Sequence, residues 1–113
     1  MTVVSEYQTR DGQRPLSEWL DTLRDRSARA RVLARIDRLG VGLRGDWKTV
    51  GRGVFELRID YGPGYRVYCA ADGDALVILL CGGDKRRQKQ NIEAAHEYWQ
   101  DYQERTQHAV SRR

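Results

Sequence analysis

Residues 47–83 read WKTVGRGVFELRIDYGPGYRVYCAADGDALVILLCGG, and this run decides the fold. Apolar side chains recur at every second position, the period of a strand with one buried face. Glycine-bearing breaks divide the run into "WKTV" (Trp47–Val50), "VFELRID" (Val54–Asp60), "YRVYCA" (Tyr65–Ala70) and "ALVILLCGG" (Ala75–Gly83). Four strands with short turns predict an antiparallel meander. The last strand is apolar on both faces, which predicts an interior place in the sheet.

Upstream, "VVSEYQT" (Val3–Thr9) is a short β-prone run ending at the turn signal "RDGQ". Pro15 suits a first helical turn, and Leu16, Trp19, Leu20 and Leu23 follow at the spacing of an amphipathic helix. "RDRS" breaks it, and a second helix begins near Ser27. Val32, Leu33, Ile36 and Leu39 form its apolar face, with Arg31, Arg35 and Arg38 mostly off it; Gly40 and Gly42 end it. Downstream, Ile92, Ala95, Trp99 and Tyr102 lie on one stripe of a helix over about Gln88–Gln103. The order β-α-α-β-β-β-β-α, with the αα-hairpin and the C-terminal helix packed on one sheet face, is an α+β fold. The 113 residues fit a single domain, expected over 1–105, with a disordered tail at 106–113.

The net charge is only +4, yet seven arginines between Arg24 and Arg44 face only Asp25 and Asp37, and Lys85, Arg86, Arg87 and Lys89 cluster without an acid. Such clusters attract polyanions or acidic proteins; a solvated helix face is the plainer alternative for the first of them. Two cysteines are too few for a disulfide scaffold, and the N-terminus has no apolar stretch resembling a signal peptide or membrane span. A cytoplasmic protein without membrane partners is expected.

Strand parity then sorts the charges. Phe55, Leu57 and Ile59 share a face with Tyr65, Val67 and Cys69, leaving Glu56, Arg58, Arg66 and Tyr68 together on the other. An odd loop keeps both apolar sets in the core. Pairing Ile59 with Val67 and Arg58 with Tyr68 makes that loop Tyr61–Tyr65 and sets Arg58 diagonal to Arg66, sparing direct repulsion. A type I′ turn centred on Asp72-Gly73 pairs Ala71 with Asp74, Tyr68 with Val77 and Arg66 with Leu79; continued alternation brings Lys85 to the same face. A "GRG" turn pairs Val50 with Val54, Lys48 with Glu56 and Asp46 with Arg58. One face therefore carries Lys48, Arg58, Arg66, Tyr68 and Lys85, and Cys69 and Cys81 fall on opposite faces.

No zinc spacing, P-loop or serine elbow occurs, so neither metal nor cofactor is expected. His96 and His108 are lone histidines, His96 better read as packed or half-exposed than as a catalyst. Glu56 could act as a base, but Lys48 opposite it favours an ordinary ion pair. RNA cleavage by the 2′-hydroxyl needs a proton acceptor, charge stabilisation at phosphorus and a proton donor. Arginines match phosphate oxygens, a lysine crowded by cations can transfer protons, and tyrosine can stack on a base or pass a proton.

"GDWKTVGRGVFELRIDYGPGYRVYCA" followed by "LLCGGDKRRQKQNIEAAHEYW" resembles toxins of the RelE/ParE superfamily, most closely the HigB-like group of phage-derived addiction module killer proteins. The resemblance runs from about Trp19 to Trp99. It implies a type II toxin neutralised by a helix-turn-helix antitoxin, the complex repressing its own operon through operator DNA. It also implies a metal-independent, ribosome-dependent mRNA endoribonuclease that inhibits translation. By position, Arg66 and Lys85 would stabilise the phosphorane, Arg58 would contact substrate phosphate and Lys48 would transfer protons. Tyr68, Arg86, Arg87 and Lys89 would bind RNA, and the Arg29–Arg38 helix ribosomal RNA. The RelE branch has a lysine where Glu56 stands and a tyrosine after its last strand, where "RRQKQNI" has no aromatic. The ParE branch inhibits DNA gyrase instead, so a gyrase inhibitor is the alternative, and a non-toxic antitoxin-binding module a third.

Overall fold

In the computed structural model, which describes the backbone of residues 2–111 and the side chains of residues 2–106, the elements follow the expected order. They are β1 (Val3–Glu6), α1 (Pro15–Thr22), α2 (Arg26–Gly40), β2 (Trp47–Gly51), β3 (Val54–Ile59), β4 (Tyr65–Asp72), β5 (Leu76–Asp84), a 3₁₀ turn (Lys85–Arg87) and α3 (Gln88–Ser111). α3 runs beyond the expected end at Gln103; the tail expected over 106–113 falls mostly outside the fully described residues, as does the His108 side chain.

Local chemistry sets the boundaries. Pro15 opens α1, and the Glu6 carboxylate accepts from both Ser17 N (2.8 Å) and Ser17 Oγ (2.6 Å), fastening β1 to that first turn. Asp25 caps α2 by accepting from Ser27 N (2.9 Å) and Ala28 N (3.2 Å). At the β2–β3 turn Arg52 and Gly53 both have positive φ (55° and 85°), the geometry of a tight two-residue hairpin.

The sheet order is β1-β5-β4-β3-β2. β5 is interior, as its doubly apolar sequence predicts, and β1 closes one edge by pairing with it in parallel, Val3 opposite Leu76. The helices do not share a face. Leu16, Leu20, Val32 and Leu39 from α1 and α2 pack on Phe55, Leu57, Val67, Cys69 and Leu79. Ala95 and Trp99 of α3 pack on the opposite side, over Val54, Tyr68, Ala70, Ile78 and Leu80. The face expected to stand open is therefore largely roofed by α3, because β4 and β5 carry apolar side chains on both sides and both must be covered.

Register departs from expectation in three places. Between β3 and β4, Ile59 pairs with Tyr65 and Arg58 directly with Arg66, so the loop is Asp60–Gly64 rather than Tyr61–Tyr65. Gly62 and Gly64 take positive φ (55° and 85°) to make this turn. Between β4 and β5, Ala71 pairs with Val77 and Cys69 with Leu79; then a bulge intervenes, and Tyr68 pairs with Cys81 and Arg66 with Gly83. The bulge leaves Leu80 and Cys81 both on the α3 side. It cancels the misplaced register, so Lys85 still arrives beside Arg66, and Cys69 and Cys81 still lie in opposite cores as free thiols. Between β2 and β3, Lys48 pairs with Glu56 as expected, but Gly51 rather than Val50 meets Val54.

The glycine pair ending β5 is dictated by close packing on both faces. A Cβ at Gly82 would strike the Trp19 ring of α1, and one at Gly83 would strike the Asn91 amide of α3.

Candidate functional site

The α3 side of β3 and β4 presents Glu56, Arg58, Arg66 and Tyr68 beneath the first turns of α3, where Gln88 and Asn91 descend toward the sheet. Glu56 is the centre. It is completely buried, and Arg58 Nε donates to its Oε1 at 3.2 Å while Arg66 Nε stands 3.8 Å from the same oxygen. Gln88 Nε2 donates to both carboxylate oxygens, at 3.2 and 3.0 Å. Arg58 and Arg66 are directly opposed across the strands, an arrangement that repels unless an anion intervenes. Glu56, two positions along from Arg58 on the same face, is that anion. The pair of guanidiniums and one carboxylate leave one positive charge in excess.

Lys48 lies opposite Glu56 in register, but its side chain is exposed, and Glu56 takes its ion pairs from the arginines instead of the cross-strand lysine. Arg66 is largely buried and donates from Nη1 to the Tyr65 carbonyl at 3.1 Å; Arg58 keeps about a third of its side chain in solvent (33%). Lys85 is anchored by its backbone N, which donates to the Gly64 carbonyl at 2.9 Å. The position a Cβ would take on Gly64 is 3.6 Å from Lys85 Cβ and 3.7 Å from Arg66 Nη1, so Gly64 lies between the two side chains, and its φ of 85° is what favours glycine there. Arg86, Arg87 and Lys89 are exposed around the 3₁₀ turn, with Arg86 tied to Asp84 (Nη2 to Oδ2, 3.3 Å).

Tyr68, expected as an RNA-binding side chain on an open face, is fully buried under α3. Among the described residues its hydroxyl has no hydrogen-bond partner, and the same holds for Arg66 Nε and Asn91 Nδ2. Burial, then the adjacent Glu56 charge, pushes the Tyr68 pKa upward, so the phenol stays neutral. Arg35 is also buried, not on the solvent side of α2: its Nη2 donates to the Asp46 carbonyl (2.8 Å) and its Nε to the Arg58 carbonyl (3.4 Å). His96 is half-buried, with Nε2 3.0 Å from the Val50 carbonyl, a packing role.

The site is thus a cationic edge, Arg58–Arg66–Lys85, backed by a buried carboxylate. Sequence reasoning grouped the cations but missed Glu56 and Gln88 as their support. The available signal was the apolar character of Tyr68, Ala70 and Leu80 on that same face, which demands a roof and therefore burial of Glu56. Among the described residues no three His, Cys, Asp or Glu side chains gather as a metal-ligand set, and no helix is long and apolar enough to cross a membrane. The larger surface depressions, of about 560 and 590 Å³, lie at the far end of β4 and along β1 around Tyr102, and include none of these cations.

Residues 18–98 match the family described as Phage derived protein Gp49-like (DUF891). An uncharacterized protein of Haemophilus influenzae (strain ATCC 51907 / DSM 11121 / KW20 / Rd) is 53% identical over 77 residues, covering 68% of this chain and 78% of that protein.

Proposed function

The chain belongs to the Gp49-like phage-derived family of the RelE/ParE-like toxin superfamily, and from that membership we propose a type II toxin that acts as a ribosome-dependent mRNA endoribonuclease. The observation that carries the nuclease reading is the pairing of Arg58 with Arg66 over one buried carboxylate, with Lys85 on the other side of Gly64 from Arg66. Two planar forks and an ammonium group at one edge suit a phosphoryl group on which negative charge builds as the 2′-hydroxyl attacks.

In this scheme Arg66, held on Glu56 and on the Tyr65 carbonyl, and Lys85 stabilise the pentacoordinate phosphorus. Arg58, the more exposed of the arginines, contacts the entering phosphate. Lys48, exposed on β2 across from Glu56, serves in proton transfer. Glu56 keeps the arginines in place rather than acting as the base, because Arg58 and Gln88 already occupy its oxygens. Arg86, Arg87 and Lys89 form an exposed basic rim suited to ribosomal RNA. Membership of a toxin superfamily supports an antitoxin partner; the helix-turn-helix type and operator binding through the complex are part of the proposal.

Purified protein mixed with programmed ribosomes should cut mRNA in the A site, with chelator present or absent. Arg66→Ala should lower the cutting rate by about 10²-fold or more, the scale of losing one preorganised charge-stabilising donor. Uncut mRNA, or cutting by Arg66→Ala at the wild-type rate, would overturn the nuclease assignment. Inhibition of gyrase supercoiling without ribosomes would point to the ParE-like alternative.

A further inference from the structure

We propose that Gln88 is a positioning residue for the cutting step, which acts through Glu56 to set Arg66 and Lys85 in place around phosphorus; this rests on the nuclease reading. Gln88 is the first residue of α3 and follows directly on the Lys85–Arg87 turn. Its backbone N donates to the Lys85 carbonyl and closes that turn. Its side chain reaches β3, where Nε2 donates to Glu56 Oε1 at 3.2 Å and to Oε2 at 3.0 Å. One residue therefore holds the lysine through its main chain and the arginine pair through its amide.

The carboxylate shows why the amide matters. Glu56 is completely buried, so its oxygens depend on protein donors. Oε1 has two, Arg58 Nε at 3.2 Å and Gln88; among the described residues Oε2 has Gln88 alone. Arg66 Nε stands 3.8 Å from Oε1, within ion-pairing distance but too far for a hydrogen bond, and among the described residues it has no other partner. The attraction on Arg66 therefore depends on where Oε1 sits. Arg58 fixes that point along β3, and Gln88 fixes it from α3.

Without the amide, Oε2 is a bare anionic oxygen in a dry site, and the carboxylate turns both oxygens toward Arg58, the more solvated guanidinium. Oε1 then moves off Arg66. Charge favours glutamine here as well. Arg58, Arg66 and Glu56 together leave one positive charge for an anionic substrate, which a neutral donor preserves and an acidic side chain cancels.

Three substitutions at this half-buried position separate donation, charge and packing. Gln88→Met keeps the length and donates nothing, Gln88→Lys donates and adds charge, and Gln88→Glu replaces the donor with an anion. The assay is single-turnover cutting on programmed ribosomes, with the protein varied to saturation. Gln88→Met should lower the limiting rate about tenfold, the scale of one hydrogen bond to a charged group, at an unchanged half-saturating concentration. Gln88→Lys should stay within about threefold of wild type. Gln88→Glu should fall furthest, by about 10²-fold or more. A packing role alone gives another order, with Met tolerated best.

A second measurement needs no ribosome. Exchange of the Arg66 Nε proton with water, followed by NMR in arginine-labelled protein and assigned through Arg66→Lys, should quicken about tenfold in Gln88→Met and not in Gln88→Lys. Cutting by Gln88→Met at the wild-type rate while Arg66→Ala is slow overturns the role of Gln88 and leaves the nuclease reading standing. Equal losses in Gln88→Met and Gln88→Lys, or a loss confined to half-saturation, overturn it too. If Arg66→Ala cuts as wild type does, the nuclease reading fails, and unchanged proton exchange in Gln88→Met then overturns the hold on the arginine as well.

Discussion

At the scale of single residues, Glu56 governs what the arginines can do. Parity alone groups Arg58 with Arg66, because alternation along a strand is a local property. It cannot say whether the shared face is wet or dry, and Glu56 looks like one more polar group on a wet face. Its burial comes from α3, whose placement no local pattern encodes. Removing the carboxylate leaves two guanidiniums facing each other without their anion. Glu56→Ala should therefore cost ~3 kcal/mol in urea unfolding, toward the lower end for a broken buried pair because Arg58 is partly solvated. Tyr68 offers the opposite case. Among the described residues its buried hydroxyl has no hydrogen-bond partner, so Tyr68→Phe should change stability by less than ~1 kcal/mol in either direction and leave cutting intact. A large loss of cutting with unchanged stability would make Tyr68 a participant in the chemistry.

At the scale of elements, periodicity identified the strands and helices, with β2 to β5 within one or two residues of their expected ends. Register was less legible. The loop Asp60–Gly64 and the bulge at Leu80–Cys81 rest on glycine geometry and on packing from both sides, which alternation does not register. The β5 bulge matters because it turns Gly83 toward α3. Gly83→Ala should push Asn91 and the first turns of α3 outward, costing ~1–3 kcal/mol as overpacking. It should also lower any activity that depends on Arg66, read as a lower rate at unchanged substrate affinity. Thiol chemistry checks the same region: burial pushes the Cys81 pKa up to about 12, so a disulfide-exchange reagent at pH 8 should react only as fast as the protein opens.

At the scale of the whole molecule, the sequence supports an α+β fold and two amphipathic layers, but a helix with one apolar stripe does not declare which sheet face it covers. The doubly apolar β5 is the physical clue that two cores exist. The ends of the sandwich are joined where Tyr7 donates to Asp101 Oδ2 at 2.6 Å, linking the segment after β1 to α3. Burial, and next the bond to Asp101, raises the Tyr7 pKa to about 12, from the ordinary tyrosine value of 10.0. The folded state thus binds the phenolic proton more tightly than the unfolded state. This contribution is fully present below about pH 10 and is lost as pH rises toward 12, by up to ~2–3 kcal/mol. Tyr7→Phe should flatten that alkaline decline in chemical denaturation; an unchanged slope would remove Tyr7 as its source.

The parallel pairing of β1 with β5 also dictates an order of events in time. Val3 finds its partner only at Leu76, and every strand from β2 to β4 is synthesised before that partner exists. Such long-range closure makes for slow folding relative to helical proteins of this size. A nascent chain lacking β5 has no seat for its first strand, no Gly83 for Arg66 to pair with and no Lys85 beside it. The chain can therefore acquire its cationic edge only late in its own synthesis.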